Sequence, residues 1–396
     1  MDNCVIPHGY KATALGIIPQ EWEVMLLGNL SNSISSGRNK HRDAHGQYPV
    51  FGSTGIIGYS STYEYEGPVI LVARVGANAG TLNFASGQYD VSDNTLIITI
   101  KQNVYDYNFA YNQLTHYKLN KLVFGSGQPL ITSKQLKNIR IPVPPLAEQR
   151  KIAEVLGVWD KAIEKQARLI EKLALRKRGL MQRLLSAKLR LPGFSEPWQK
   201  VKLGEICERV TRKNIEDNQN VMTISAQRGF VAQTDFFNKS VASETLESYY
   251  LVFKDEFCYN KSYSNGYPMG AIKRLSEADK AVVTSLYICF NVKPETNTNI
   301  DYLSYYFDNG GLNRGLTKIA NEGGRAHGLL NVTPKDFFGL SFEIPSLKEQ
   351  TAIAEVLIAA DREIELAKEK LERLRRQKRG LMQQLLSGKK RVKINI

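Results

Sequence analysis

Two stretches of the 396-residue chain carry one hydrophobic pattern, with seam positions spaced alternately by four and three. The first seam is Ile152, Leu156, Trp159, Ile163, Gln166, Ile170, Leu173, Lys177, Leu180 and Leu184. The second is Ile353, Leu357, Ala360, Ile364, Ala367, Leu371, Leu374, Lys378, Leu381 and Leu385. A heptad seam this long predicts a coiled-coil helix; a helix lying on a globular domain would show a wider apolar stripe. Both stretches are rich in Ala, Leu, Glu, Lys, Arg and Gln and contain no Pro. Pro144-Pro145 and Pro345 stand just upstream, where extended chain gives way to helix.

The two stretches are copies of one unit. Ile152-Ala-Glu-Val-Leu156 recurs as Ile353-Ala-Glu-Val-Leu357, and Lys177-Arg-Gly-Leu-Met-Gln182 as Lys378-Arg-Gly-Leu-Met-Gln383, each 201 positions on. Trp22 and Leu27-Gly28 recur as Trp198 and Leu203-Gly204 at an offset of 176, so the repeat includes the intervening segments. Asp106-Tyr107 matches Asp301-Tyr302 at an offset of 195. Two copies pairing about a two-fold axis make their helices antiparallel. With the seams aligned end to end, Lys177 falls opposite Ala360 and Lys378 opposite Trp159. A seam lysine is tolerated where its ammonium snorkels out or lies over an aromatic ring, and such polar breaks also set register.

Between the helices the pattern changes to short apolar, often β-branched runs bounded by Gly, Asn or Asp. Pro49–Phe51, Pro68–Val75, Thr95–Ile100 and Ile139–Val143 are predicted strands, and Tyr107–Leu119 a short helix. Glycine-punctuated loops separate them: Gly52-Ser-Thr-Gly55, Gly76-Ala-Asn-Ala-Gly80 and Gly125-Ser-Gly-Gln128. Such a loop is either a tight turn or a place where backbone amides approach a phosphate.

The formal net charge of +14 is unevenly placed. Residues 146–190 carry 12 basic and 5 acidic side chains, and residues 347–391 carry 12 and 7, so the excess sits on the repeated helices. A solvated face that suits the helix dipole and a surface for nucleic acid or an acidic protein both fit it. The four cysteines are scattered, which points to neither a disulfide framework nor a zinc site. No basic-then-apolar leader and no apolar run near twenty residues occur, which predicts a cytoplasmic protein with no membrane contact. There is no Gly-x-x-x-x-Gly-Lys-Ser/Thr loop, no His-Glu-x-x-His, and no clustering of the five histidines. The expectation is a binding protein rather than an enzyme.

Several stretches together resemble the specificity subunit of type I restriction–modification systems. They are Tyr10-Lys-Ala-Thr-Ala-Leu-Gly-Ile-Ile-Pro-Gln-Glu-Trp22, Phe51-Gly-Ser-Thr-Gly-Ile-Ile-Gly-Tyr59, Gly125-Ser-Gly-Gln-Pro-Leu130 and Ile141-Pro-Val-Pro-Pro-Leu-Ala-Glu-Gln149. In the second half, Asn260-Lys-Ser-Tyr-Ser-Asn-Gly-Tyr-Pro-Met-Gly-Ala-Ile272 is similar to a target-recognition domain of that family, and the helices look like its spacers. The implied fold is α+β: two strand-rich, mixed α/β target-recognition domains joined by two long helices in an antiparallel coiled coil, with a pseudo-two-fold internal repeat. The expected divisions are a lead-in (1–20), a first recognition domain (21–145), a first spacer helix (146–190), a second recognition domain (191–346), a second spacer helix (347–391) and a tail (392–396).

The resemblance also implies a function. Each recognition domain would read one half of a bipartite target in double-stranded DNA. The helices would set the spacing and dock two methyltransferase subunits. S-adenosylmethionine would be bound by those subunits, ATP and Mg by partners including restriction subunits, and this chain would hold no cofactor or metal and do no chemistry. Base-edge readout favours Arg, Lys, Asn and Gln on loops. The candidates by type and position are Arg38, Lys40, Arg42, Arg74, Asn78 and Gln128 in the first domain, and Gln227, Arg228, Lys261, Tyr263, Asn265 and Arg325 in the second. For each, the alternative role is a surface ion pair or a solvated side chain. Two other functional classes are the alternatives: a methyltransferase or nuclease with an unrecognised site, and a coiled-coil adaptor that binds proteins. A methyltransferase needs a Pro-Pro-aromatic base pocket, and the only Pro-Pro here is followed by Leu146.

Overall fold

The computed structural model describes residues 6–40, 43, 45–124, 129–237, 246–322 and 330–394. It divides into two units, residues 1–168 with 368–396, and residues 169–367. The architecture is α+β, and two helices of 39 residues, Leu146–Leu184 and Leu347–Leu385, form an antiparallel coiled coil. Each unit contains the N-terminal part of one helix and the C-terminal part of the other.

In the first unit an antiparallel sheet has the strand order Ser31–Ser36, Thr95–Ile100, Val69–Ala73, Leu82–Ala85. Val69–Ala73 is buried along its whole length, which explains its unbroken apolar sequence. One face of the sheet, through Ile70, Val72, Leu96 and Ile98, packs with Phe109 and Leu114 of the helix Tyr107–Tyr117. Ile152 and Leu156 of the first long helix and Met382 and Leu385 of the second complete that core. The other face, through Val69, Leu71 and Ile97, meets Tyr89 and Val91. These come from a second sheet ordered Gly55–Ser60, Tyr48–Gly52, Gln88–Val91, Tyr65–Glu66. The strand Arg140–Val143 pairs with Glu23–Leu26 and leads into the first long helix. The predicted strands are present within a residue or two. The predicted helix stops at Tyr117, because Lys118 takes a left-handed conformation (φ 61°) before a 3-10 turn at Leu119–Leu122.

The second unit follows the same plan. Its sheet is ordered Cys207–Val210, Ile288–Val292, Phe257–Asn260, Ala271–Arg274. Phe257, Phe290 and Phe307 pack with Leu184, Ile353 and Leu357 of the long helices. The helix Ile300–Asp308 stands where Tyr107–Tyr117 stands in the first unit. Asp106 caps the first of these through Phe109 N–H, and Asn299 caps the second through Tyr302 N–H. The structural offset here is therefore 193, and Asn299, not Asp301, takes the place of Asp106.

Within each unit the seam is closed by an ion pair. Lys177 Nζ reaches both oxygens of Asp361 at 2.6 Å, beside the expected Ala360. Lys378 Nζ reaches Asp160 at 2.5 Å, beside the expected Trp159. The lysines leave the apolar seam for the next carboxylate along the facing helix, as snorkelling requires. Lys177 also lies over the ring of Tyr305 at 5.1 Å.

Candidate nucleic-acid interface

In the first unit, Arg38 and Lys40 are exposed on either side of Asn39. Asn39 is pinned: its backbone bridges to Ser92 and its side-chain amide donates to Asp90. Register is thus set by the middle residue, and its two neighbours face water. Among the described residues, Arg38 pairs with the half-exposed Glu64, at 3.8 Å. Arg74 follows the buried strand Val69–Ala73, and its Nη1 donates to Ser36 Oγ at 3.2 Å, so three candidates, Arg38, Lys40 and Arg74, gather at one end of the sheet. Asn78 is exposed four residues on, in the turn that starts at Gly76. Arg42 and Gln128 lie outside the described residues.

Two of the glycine loops are tight turns. Gly52 pairs with Gly55 across the two-residue tip Ser53-Thr54 of a hairpin. In the other, the N–H groups of Gly76, Ala79, Gly80 and Thr81 donate to Pro129, Gly76, Ala73 and Asn78 carbonyls, leaving those four amides with no call for a phosphate. Gly80 has a φ of +90°, and a Cβ there would come within 2.6 Å of Asn120 N, so the turn needs glycine. The third loop, 125–128, lies outside the described residues.

In the second unit the candidates converge. Gln227 and Arg228 are exposed in the turn joining Met222–Ser225 to Gly229–Ala232. Gln227 Nε2 donates to the Asn265 carbonyl at 3.1 Å, bringing the hairpin turn onto the loop that carries Tyr263 and Asn265. Tyr263 is 63% exposed. Lys261 is half-buried, and its carbonyl accepts from Leu330 N–H. Arg325 lies outside the described residues. The result is a basic, amide-bearing and aromatic surface with side chains of the types that read base edges.

Buried, multiply bonded polar groups stand at the helix starts, where loop position did not point. Glu148 is fully buried; Arg391 Nε donates to its Oε1 at 2.6 Å, Arg391 Nη2 to its Oε2 at 2.9 Å, and Trp22 Nε1 to its Oε2 at 3.0 Å. Hydrogen bonds to Glu148 and Glu21 push the Arg391 pKa still higher. In the second unit Arg190 makes the same two-pronged contact with buried Glu349, at 2.6 and 2.8 Å. The adjacent glutamines are clamps. Gln149 donates to the Val104 and Pro144 carbonyls and accepts from Asp106 N–H; Gln350 does the same with Asn297, Pro345 and Asn299. The Leu-x-Glu-Gln junction thus fastens each recognition domain to a helix start. The signal was present in the repeat, since Arg190/Arg391, Glu148/Glu349 and Gln149/Gln350 all recur at 201.

Among the described residues, no group of three or more His, Cys, Asp or Glu could hold a metal ion, and no helix is long and apolar enough to cross a membrane. Burial pushes the Cys207 thiol up to about 12, away from nucleophilic use at neutral pH.

A family model described as "Type I restriction modification DNA specificity domain" matches the chain twice, over residues 19–174 and 195–376. The MjaVIII type I restriction enzyme specificity subunit of Methanocaldococcus jannaschii is 24% identical over 416 residues, covering 95% of this chain and 94% of that one. The crystal structure of a type I restriction-modification S subunit from M. genitalium superposes with a TM-score of 0.55 at 18% identity, covering 92% of this chain and 96% of that one. A chain from a structure addressing complex assembly and conformational transition of the type I R-M system gives 0.55 at 17%, covering 94% and 99%.

Proposed function

This chain belongs to the type I restriction modification DNA specificity family, and on that premise we propose that it is the sequence-specific DNA-binding subunit of a type I restriction–modification complex. The observation that carries the reading is the double family match, one per half of the chain, over two units built on one plan. Each recognition domain reads one half of a bipartite target. Arg38, Lys40, Arg74 and Asn78 serve the first domain, and Gln227, Arg228, Lys261, Tyr263 and Asn265 the second. Arg42, Gln128 and Arg325 belong to the same proposal.

The long helices set the distance between the half-sites and dock two methyltransferase subunits. Those subunits bind S-adenosylmethionine and methylate adenine, and restriction subunits use ATP and Mg. This chain is non-catalytic and works in the cytoplasm. Its excess of positive charge suits a polyanionic ligand. The test is equilibrium binding of duplex libraries to the full chain, with and without methyltransferase subunits, across a salt series. A selected bipartite sequence and affinity falling steeply with salt are expected. Salt-insensitive binding, or methyl transfer by the highly purified chain alone, counts against the proposal.

A further inference from the structure

The four-stranded sheets of the two units share one register, and it matches two candidates that no constant sequence offset would pair. In the first sheet Ile100 lies opposite Ser31, and Ile98 opposite Ile70. In the second, Val292 lies opposite Cys207, and Phe290 opposite Phe257. Ser31 and Cys207 correspond at the offset of 176, so Ile70 corresponds to Phe257. Four residues on, Arg74 and Lys261 hold the same place, directly after the inner strands Val69–Ala73 and Phe257–Asn260. The returning strands agree. Ala73 N–H donates to the Thr81 carbonyl, Asn260 opposes Ala271, and the residues just before Thr81 and Ala271, Gly80 and Gly270, are both left-handed, with φ of 90° and 74°. The loop between cation and glycine carries Asn78 in one domain and Asn265 in the other, each four residues after the cation.

Arg74 is half-buried and bound on both sides. Its N–H donates to the Asn94 carbonyl at 2.9 Å, and its own carbonyl accepts from Ile131 N–H at 2.8 Å. Its Nη1 donates to Ser36 Oγ, while its Nε is shut off from water with no partner among the described residues. No carboxylate among those residues reaches the guanidinium. A half-buried cation with one neutral partner costs stability in the free chain, and the acceptors of a base edge would offset that cost. Lys261 is half-buried as well. Its carbonyl accepts from Leu330 N–H at 3.1 Å, and the next residue is held by Ser262 N–H donating to Asn260 Oδ1 at 3.0 Å. Its ammonium has no hydrogen bond or ion pair among the described residues. Asn78 and Asn265 are exposed, with side-chain amides unpaired among those residues.

We propose that Arg74 and Lys261 read guanine, one in each half-site, each closing on the O6 and N7 acceptors of its base. The proposal rests on the DNA-reading function above and assigns the chemistry of two of its residues. Arg or Lys on those two acceptors is the commonest specific contact to a base, and Asn is the type that pairs with adenine. Each loop therefore holds two base-reading types at one spacing. A grip on phosphate needs only charge, which exposed side chains supply. Here the cation leaves a bound backbone at the end of a buried strand, and in Arg74 its direction is set by Ser36.

The test uses the full chain with its methyltransferase subunits and the target found by sequencing methylated DNA. Each guanine of the target is replaced in turn by 7-deazaguanine, which removes the N7 acceptor and keeps base pairing. Wild-type affinity should fall about 10-fold at one guanine in each half-site. Arg74→Ala should lose the response in one half-site and keep it in the other, and Lys261→Ala should do the reverse. Arg74→Lys should keep part of the response, because Lys uses the same acceptors, and melting temperatures should stay close to wild type. A half-site without guanine overturns the inference. So does an Arg74→Ala chain that still responds at the same guanines, or one that weakens on every sequence alike with a shallower salt dependence, which would make the contact a phosphate. If no sequence is selected at all, the DNA-reading function itself falls; a selected sequence with no response to 7-deazaguanine sinks this assignment alone.

Discussion

Arg391 and Glu148 meet across 243 positions of sequence, the guanidinium donating to both oxygens of a carboxylate that has no contact with water. Glu148 sits in the first turn of the long helix of the first repeat, and Arg391 follows the helix of the second. Arg190 and Glu349 make the reciprocal connection. Removing the cation leaves a buried anion behind. Arg190→Ala should cost about 3–5 kcal/mol, because Glu349 then retains no hydrogen-bonding partner among the described residues. Arg391→Ala should cost less, about 2 kcal/mol, since Arg391 is more exposed and Trp22 still donates to Glu148. Urea denaturation of the two variants checks the ranking, and equal losses would show that Trp22 contributes nothing.

Gln149 holds three backbone groups at once, so Gln149→Ala orphans the Asp106 amide and two carbonyls. The expected loss is about 2–3 kcal/mol. Gln149→Glu should be nearly as harmful, because a carboxylate accepts but cannot donate to the Val104 and Pro144 carbonyls. Hydrogen exchange should show the start of the helix Tyr107–Tyr117 opening first.

Lys177, Asp361 and Tyr305 form a node; among the described residues of the first unit, Asp160 takes the Lys378 ammonium but no tyrosine hydroxyl. Tyr305 Oη donates to Asp361 at 2.7 Å, and burial together with that bond holds the phenol's pKa above its ordinary value. Position 112, which matches Tyr305 at the offset of 193, is Asn, and its amide donates to the Asn108 carbonyl instead. A Lys177→Met and Tyr305→Phe double-mutant cycle should give a coupling of about 1 kcal/mol. Lys378→Met should cost about 0.5 kcal/mol, the usual worth of an ion pair whose acid is half-exposed.

Burial and the nearby Lys118 and Lys121 lower the pKa of His116 from 6.5. Below pH 6.5 the unfolded chain therefore takes up a proton more readily than the folded one. The contribution of His116 is fully present above pH 6.5 and fades as pH falls toward the lower folded value. Thermal melts at pH 7.5 and 5 should show wild type losing more stability on acidification than His116→Asn; a parallel loss would assign the acid sensitivity to other groups.

The proposed ruler function is tested by length. One matched heptad inserted after Ile163 and another near Leu374 preserves the seam. It lengthens the rod by about 10 Å, close to 3 base pairs of DNA. Sequencing the sites methylated by an active variant should show a longer gap between half-sites. An unchanged gap would mean that the helices do not set it.

The coiled coil was legible in the sequence because a heptad seam is a local, periodic signal, and two copies of it named each helix's partner. The seam lysines even pointed within one residue of the acids they reach. The Val69–Ala73 and Thr95–Ile100 strands could be read because β-branched runs between turn residues have few other uses. What sequence did not show was that Arg74 and Lys261 share one place in the two sheets, or that Asn299 replaces Asp106 as a cap. Both depend on small shifts of offset along the repeat, which leave composition and periodicity unchanged. The candidate base-reading residues were chosen by side-chain type, and type does not distinguish exposed Lys40 from Arg74, which is tied to Ser36.

The order in which the residues leave the ribosome follows from the same crossed pairing. The second unit, residues 169–367, is one unbroken length of chain, and its Arg190 is already made when Glu349 emerges. The first unit is begun earliest, yet its core lacks Met382 and Leu385, and Glu148 lacks Arg391, until 243 more residues have been added. During translation the later-encoded domain is therefore the first to have all its parts, and the domain nearest the start waits, with a carboxylate and an apolar helix face uncovered, for residues beyond position 380.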